Sequence, residues 1–219
     1  ILRAARRLLE GYELKQGMRI HLDKQIPMEA GLAGGSTDAA ATLLGINELL
    51  GLGKTKEELA ELGGTIGADI PFCVFGGTRL AEGIGEILTE LPPMPDCFIL
   101  IGKPPTGVST KYVYEHFHAG NVTERPDLAR IREGLEKQDL SMVLDGMANV
   151  LESVTIPVCR EIETIRQTML SNGALAARMS GSGPTVFGIF ERSKTAEEAM
   201  EALKKTGLCK NLLITTPFQ

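Results

Sequence analysis

The stretch Ile26-Pro27-Met28-Glu29-Ala30-Gly31-Leu32-Ala33-Gly34-Gly35-Ser36-Thr37-Asp38-Ala39-Ala40 governs how the rest of this 219-residue chain is read. Before it, Met18, Ile20 and Leu22 alternate as in a half-buried strand, with His21 on the opposite, outer face. After it, Ala40, Leu43, Leu44, Asn47 and Leu50 follow helical spacing, which places Ser36 as the expected N-cap. A glycine-rich turn from strand to helix lets backbone N–H groups and the positive end of the helix converge on one anion. Glycine allows phosphate oxygens to approach the main chain, and the Ser36 and Thr37 hydroxyls can reach a phosphate or its magnesium ion. On composition alone, a flexible turn explains the same residues equally well.

Working outward, Ile1, Leu2, Ala5, Leu8, Leu9 and Tyr12 predict a helix ahead of the strand. Thr55 and Glu58 form a capping-box pattern for a helix stopping near Gly67. Gly53-Lys54-Thr55 resembles the tail of a nucleotide-binding P-loop, but Glu48 stands where its first glycine belongs and a helix precedes it, so it reads as a helix terminator. Gly83-Ile84-Gly85 lacks the third glycine of a dinucleotide fingerprint and reads as a hairpin turn between short β-like pieces over 72–90. Pro92-Pro93-Met94-Pro95 is the expected domain boundary, giving domains of 1–93 and 94–219. The second half predicts strands at 97–102, 174–179, 185–191 and 211–216, with helices at 109–117, 127–137, 140–154, 158–171 and from 195. Strands separated by runs of helices imply an α+β fold with helices on one face of an antiparallel sheet.

A net charge of −5 and a pI near 5.4 argue against a nucleic-acid or acidic-membrane binder. Cys73, Cys97, Cys159 and Cys209 are far apart, suggesting buried thiols of a cytoplasmic protein rather than a zinc site or disulfide framework. No apolar run reaches the roughly 20 residues that span a bilayer. The chain opens Ile1-Leu2-Arg3 inside a predicted helix, so a preceding segment is expected.

The run from Pro27 to Ala40 resembles the ATP-binding signature of the GHMP kinases, the superfamily of galactokinase, homoserine kinase and mevalonate kinase. Its form is similar to the branch acting on diphosphocytidyl-methylerythritol, with Thr37 where that branch usually has serine, and with Met28 and Glu29 unusual there. The resemblance implies a partial ribosomal-protein-S5-like N-terminal domain followed by a ferredoxin-like C-terminal domain. It also implies transfer of the γ-phosphate of Mg-ATP to the 2-hydroxyl of a cytidine-diphosphate-linked methylerythritol, on the route to isoprenoid precursors. Residues Pro27, Met28, Glu29, Ala30, Gly31, Leu32, Ala33, Gly34, Gly35, Ser36 and Thr37 would then hold ATP, with Ser36 on the magnesium ion. A monomer or weak homodimer is the expected assembly, with no nucleic-acid or membrane partner.

Three further stretches carry the resemblance. Gly67-Ala68-Asp69-Ile70-Pro71-Phe72 reads by itself as a capped turn, but it resembles the family segment whose aspartate lies by the acceptor hydroxyl, which implies Asp69 as catalytic base and substrate contact. Met179-Ser180-Gly181-Ser182-Gly183-Pro184 reads as a turn joining two strands and resembles the third GHMP motif, implying Gly181, Ser182 and Gly183 near the substrate. Lys103-Pro104-Pro105-Thr106-Gly107-Val108-Ser109-Thr110 resembles the stretch after which an aromatic stacks on cytosine, implying Tyr114 in that role, although aromatics at such spacing are usually core. His116 and His118 read as surface residues rather than metal ligands. A lysine-x-asparagine motif and a Gly-Tyr-His segment of the branch are not among these 219 residues. The competing readings are a homoserine- or mevalonate-type GHMP kinase, and a non-catalytic nucleotide-binding fragment.

Overall fold

The computed structural model describes residues 1–13 and 17–218, which divide into two compact units. One comprises Ile1–Met28 and Ala33–Glu90; the other comprises Glu29–Leu32 and Leu91–Gln219.

The first unit is helical apart from one hairpin. Helix α1 (Leu2–Leu9) lies against α2 (Gly34–Leu50), which also contacts α3 (Lys56–Gly64) and α4 (Ile70–Phe75). Their apolar faces meet in a core containing Leu8, Leu43, Leu59, Ile70 and Val74. The Thr55 capping box is complete: the Thr55 hydroxyl accepts from Glu58 N at 3.2 Å, and Thr55 N donates to the Glu58 carboxylate at 2.8 Å. Just before it, the Asn47 side chain pairs with both the N–H and the C=O of Lys54, so Gly53-Lys54-Thr55 is a fixed connection from α2 to α3. Strands β1 (Arg79–Glu82) and β2 (Ile87–Glu90) pair antiparallel around the Gly83–Gly85 turn.

Three expectations for this unit need correction. Met18–Leu22 forms no strand, because among the described residues nothing pairs with it, and an alternating pattern without a ladder partner leaves its N–H and C=O groups unmet. The β-like reading at Phe72 fails because Pro71 sits in the first turn of a short helix, where its missing N–H is harmless and its fixed φ is favourable. The N-cap of α2 is Ala33, not Ser36: the backbone is left-handed at Ala33 (φ 47°), and helical geometry starts at Gly34.

The second unit is built on an antiparallel sheet in the spatial order β4 (Ala176–Met179), β5 (Val186–Phe190), β3 (Phe98–Lys103), β6 (Asn211–Thr215). Helices α9 (Glu161–Ser171) and α10 (Ser193–Thr206) pack on it, giving a ferredoxin-like arrangement. Leu100, Ile162, Ile165, Met169, Val186, Phe190 and Leu203 form its core. Helices α5 (Thr110–Glu115) and α6 (Leu128–Lys137) are capped by Ser109 and Asp127. The expected helix over 140–154 is instead two, α7 (Leu140–Asp145) and α8 (Glu152–Val158). The break falls where Asn149 Oδ1 accepts from Leu151 N at 3.0 Å, a local side-chain bond that competes with helical pairing.

Candidate active site

The glycine-rich loop is partitioned between the two units. Left-handed backbone recurs at Glu29 (φ 50°), Gly31 (φ 69°) and Ala33 (φ 47°), turning the chain tightly ahead of α2. For Glu29 and Ala33 this conformation costs on the order of 1–2 kcal/mol each, strain of the kind that concentrates at functional sites. The first helical bond of α2 runs from Thr37 N to Ala33 O at 2.9 Å, so the N–H groups of Gly34, Gly35 and Ser36 have no acceptor within the helix. The positive end of a 17-residue helix is thereby left open at its glycines.

The fit of this end to a phosphate can be read from the glycines themselves. A side chain at Gly35 would meet nothing within 4 Å, whereas one at Gly34 would collide with Ile26 Cγ2 at 2.6 Å. Gly34 is thus required by packing, and Gly35 faces open space that a phosphate can enter. The Lys24 ammonium lies 3.0 Å from the position a Gly34 Cβ would occupy and bonds Asp38 Oδ2 at 2.6 Å, with both side chains largely buried. Asp38 stands in the glycine-rich stretch, but nothing in the sequence marked Lys24 as its partner, since only the fold joins positions 14 apart. The Thr37 hydroxyl donates to Ala33 O at 3.1 Å and lies 3.6 Å from Cys73 Sγ. Ser36 has no side-chain bond among the described residues, leaving its hydroxyl available.

Asp69 is exposed at the N-cap position of α4, yet its side chain makes no capping bond. Its carbonyl accepts from Cys73 N at 3.2 Å, and through the Cys73–Thr37 contact the start of α4 lies beside the first turn of α2. The Cys73 thiol is pushed above its ordinary range, chiefly by burial, with the Thr37 hydroxyl acting in the other direction and the Asp69 charge adding to the rise.

In the second unit, Glu29–Leu32 packs against the turn from β4 to β5. Ser180 Oγ donates to Gly31 O at 2.8 Å, and a Cβ on Gly31 would lie 2.3 Å from Ser180 O and 2.9 Å from Gly183 O. Gly31 is therefore needed both for its positive φ and for backbone-to-backbone contact. The Ser182 hydroxyl, buried, pairs with Thr110 Oγ1 at 2.9 Å and so ties the turn to the start of α5. Lys103, 6% exposed, donates to Pro104 O at 3.0 Å and folds the following loop back on β3. Tyr114 is 64% exposed, while Tyr112 stacks on His116 with ring centroids 4.0 Å apart. The residues sequence reasoning missed here are Asn149 and Glu152, in the segment expected to be continuous helix, and Thr155 just past it, which bond the 179–182 backbone.

Among the described residues no helix is long and apolar enough to cross a membrane, and the four cysteines are free.

Residues 1–77 match the GHMP kinases N terminal domain, and residues 131–208 match the GHMP kinases C terminal model. The 4-diphosphocytidyl-2-C-methyl-D-erythritol kinase of Lachnoclostridium phytofermentans is 49% identical over 208 residues, covering 95% of this chain and 72% of that protein. The protein of the same name from Lachnospira eligens is 48% identical over 207 residues, covering 94% and 72%. A crystal structure of 4-(cytidine 5'-diphospho)-2C-methyl-D-erythritol kinase superposes with a TM-score of 0.83 at 32% identity, over 98% of this chain and 76% of that one. Homoserine kinase from Cytophaga hutchinsonii shares the fold at 22% identity, with a TM-score of 0.75, over 98% and 74% of the two chains. With domain models, relatives at nearly half identity and backbone all in agreement, the chain belongs to the GHMP kinases and, within them, to the 4-diphosphocytidyl-2-C-methyl-D-erythritol kinase family.

Proposed function

We propose that this protein transfers the γ-phosphate of ATP to the 2-hydroxyl of 4-diphosphocytidyl-2-C-methyl-D-erythritol. The observation that carries the reading is the N-terminus of α2, where three N–H groups without an acceptor in the helix and a side-chain-free Gly35 leave room for a phosphate. The identity to kinases of that name supplies the acceptor.

In this reading Pro27–Thr37 holds the ATP phosphates and Ser36 offers its hydroxyl to magnesium, which when bound would offset charge on the transferring group. Asp69, exposed and uncommitted to capping, accepts the proton of the attacking hydroxyl. The substrate's 2-oxygen then forms the new bond to the γ-phosphorus as the bond to the β–γ bridging oxygen breaks, leaving ADP. Gly181, Ser182 and Gly183 line the substrate, and the exposed Tyr114 ring stacks on cytosine. A cytoplasmic setting fits the free thiols.

The test is ADP release with Mg-ATP by the protein expressed from its complete gene, offered the cytidyl substrate, homoserine or mevalonate. Turnover confined to the cytidyl substrate is expected, falling at least about 100-fold in Asp69→Asn, the scale of a lost general base. Turnover of homoserine or mevalonate instead would overturn the acceptor, and an undiminished Asp69→Asn would remove that residue as the base.

A further inference from the structure

The turn from β4 to β5 is gripped on one side by four bonds from a single short segment. Asn149 Nδ2 donates to Met179 O and to Gly181 O, both at 2.8 Å, while its Oδ1 accepts from Leu151 N. Glu152 Oε1 accepts from Met179 N at 2.8 Å. Thr155, fully buried, donates from Oγ1 to Ser182 O at 3.2 Å. Within the turn, Gly183 N returns to Ser180 O and Ser180 N to Thr185 O. On its other side the turn meets Gly31 through the Ser180 hydroxyl and close backbone contacts.

We propose that Asn149 is a positioning residue for phosphoryl transfer: its amide sets the curvature of the 179–183 turn, and through Ser180 that curvature fixes Gly31 and the loop leading into α2. The chemistry of the position calls for an amide. Two carbonyls two residues apart need two donors from one planar group, and the oxygen is engaged by Leu151 N, so both donors are used and the amide is held from both ends. An aspartate of the same shape would set anionic oxygens against two carbonyls, and an alanine would leave both carbonyls without partners. The segment bonds the backbone of the turn, so its effect on rate passes through the turn. This rests on the phosphate-loop reading above.

The test is a double-mutant cycle in kcat/KM together with amide hydrogen exchange in the nucleotide-free protein. Asn149→Ala is expected to lower kcat/KM by roughly 10- to 100-fold, and Ser180→Ala by about 10-fold. On the Asn149→Ala background, Ser180→Ala should then cost under about 2-fold, because the two act through one contact. Exchange across Gly31–Leu32 should quicken about 10-fold in Asn149→Ala while α10 keeps its protection. Multiplicative losses in the cycle, or exchange rising equally in α10, would overturn the proposal in favour of general destabilisation. If Asn149→Ala does not fold, Thr155→Val removes one bond of the same grip without changing volume, and the same two readouts decide. A wild-type protein without turnover would sink the functional reading alone, since the exchange measurement still decides Asn149.

Discussion

Replacing Gly35 with alanine separates a glycine that serves the fold from one that serves a ligand. Gly35 is the second residue of α2, has no positive φ, and would place a methyl in open space. Alanine is favoured over glycine within a helix by up to about 1 kcal/mol, and less in a first turn, so the variant should be as stable as the parent or slightly more so. In a protein of this size that corresponds to a Tm unchanged or raised by about 2–4 °C. The same methyl would stand where the phosphate approaches the backbone, holding its oxygens off the N–H groups of Gly35 and Ser36. Losing even one charge-assisted bond of about 1.5–3 kcal/mol weakens ATP binding about 10- to 100-fold. Calorimetry gives Tm, and titration with ATP, ADP and adenosine gives the affinities. Only the phosphorylated ligands should weaken. If Gly35→Ala binds ATP as tightly as the parent does, the phosphate does not sit against this turn and the cradle reading is wrong.

Gly31→Ala should behave in the opposite way, because its Cβ would meet backbone oxygen at 2.3 Å and its φ is 69°. Left-handed strain alone accounts for about 1–2 kcal/mol, so thermal scans should show a fall of several degrees alongside lost activity. Thr55→Ala removes one side of the capping box and should lower stability by about 1 kcal/mol in urea titration, with ATP affinity unaltered. Burial pushes Cys159 and Cys209 up to about 11 from an ordinary 9.0, with the Glu161 charge adding to the rise at Cys159. The folded state therefore holds these protons more tightly than the unfolded chain does. Their contribution is intact below about pH 9 and is lost as pH rises towards 11. Tm measured across that window should fall, and less steeply in Cys209→Ser; a parallel slope in the variant would refute the linkage.

Features whose partners are close in sequence were legible in it. Thr55 and Glu58 satisfy each other three residues apart, and Ser109 and Asp127 cap helices that begin at the next residue. The strands at 98–103 and 186–190 were readable because a strand buried at the centre of a sheet needs a continuous apolar run. Met18–Leu22 carries an equally good alternating pattern and is not a strand, since periodicity reports which face could be buried and not whether a ladder partner exists. The helix expected over 140–154 fails for a related reason: its apolar spacing runs on through Gly146 and Asn149, but the Asn149 side chain takes the N–H of Leu151.

The candidate site divides along the same line. Gly31, Gly34 and Gly35 are conspicuous as a cluster, but their different duties are invisible until neighbours are placed: Ser180 against Gly31, Ile26 and Lys24 against Gly34, nothing against Gly35. Lys24 and Asp38 are 14 residues apart, Asn149 and Met179 are 30 apart, and Ser180 and Gly31 are 149 apart. Each of these bonds depends on tertiary closure, so no local pattern can announce it. In the proposed reading the glycine-rich motif marks the anion site, while the residues that hold its geometry are an asparagine, a threonine and a serine drawn from distant parts of the chain. If that division is right, sensitivity to mutation at this site should follow hydrogen-bond connection to Gly31 more closely than membership of any motif. Asn149, which no motif contains, should then rank above Met28 and Glu29, which one does.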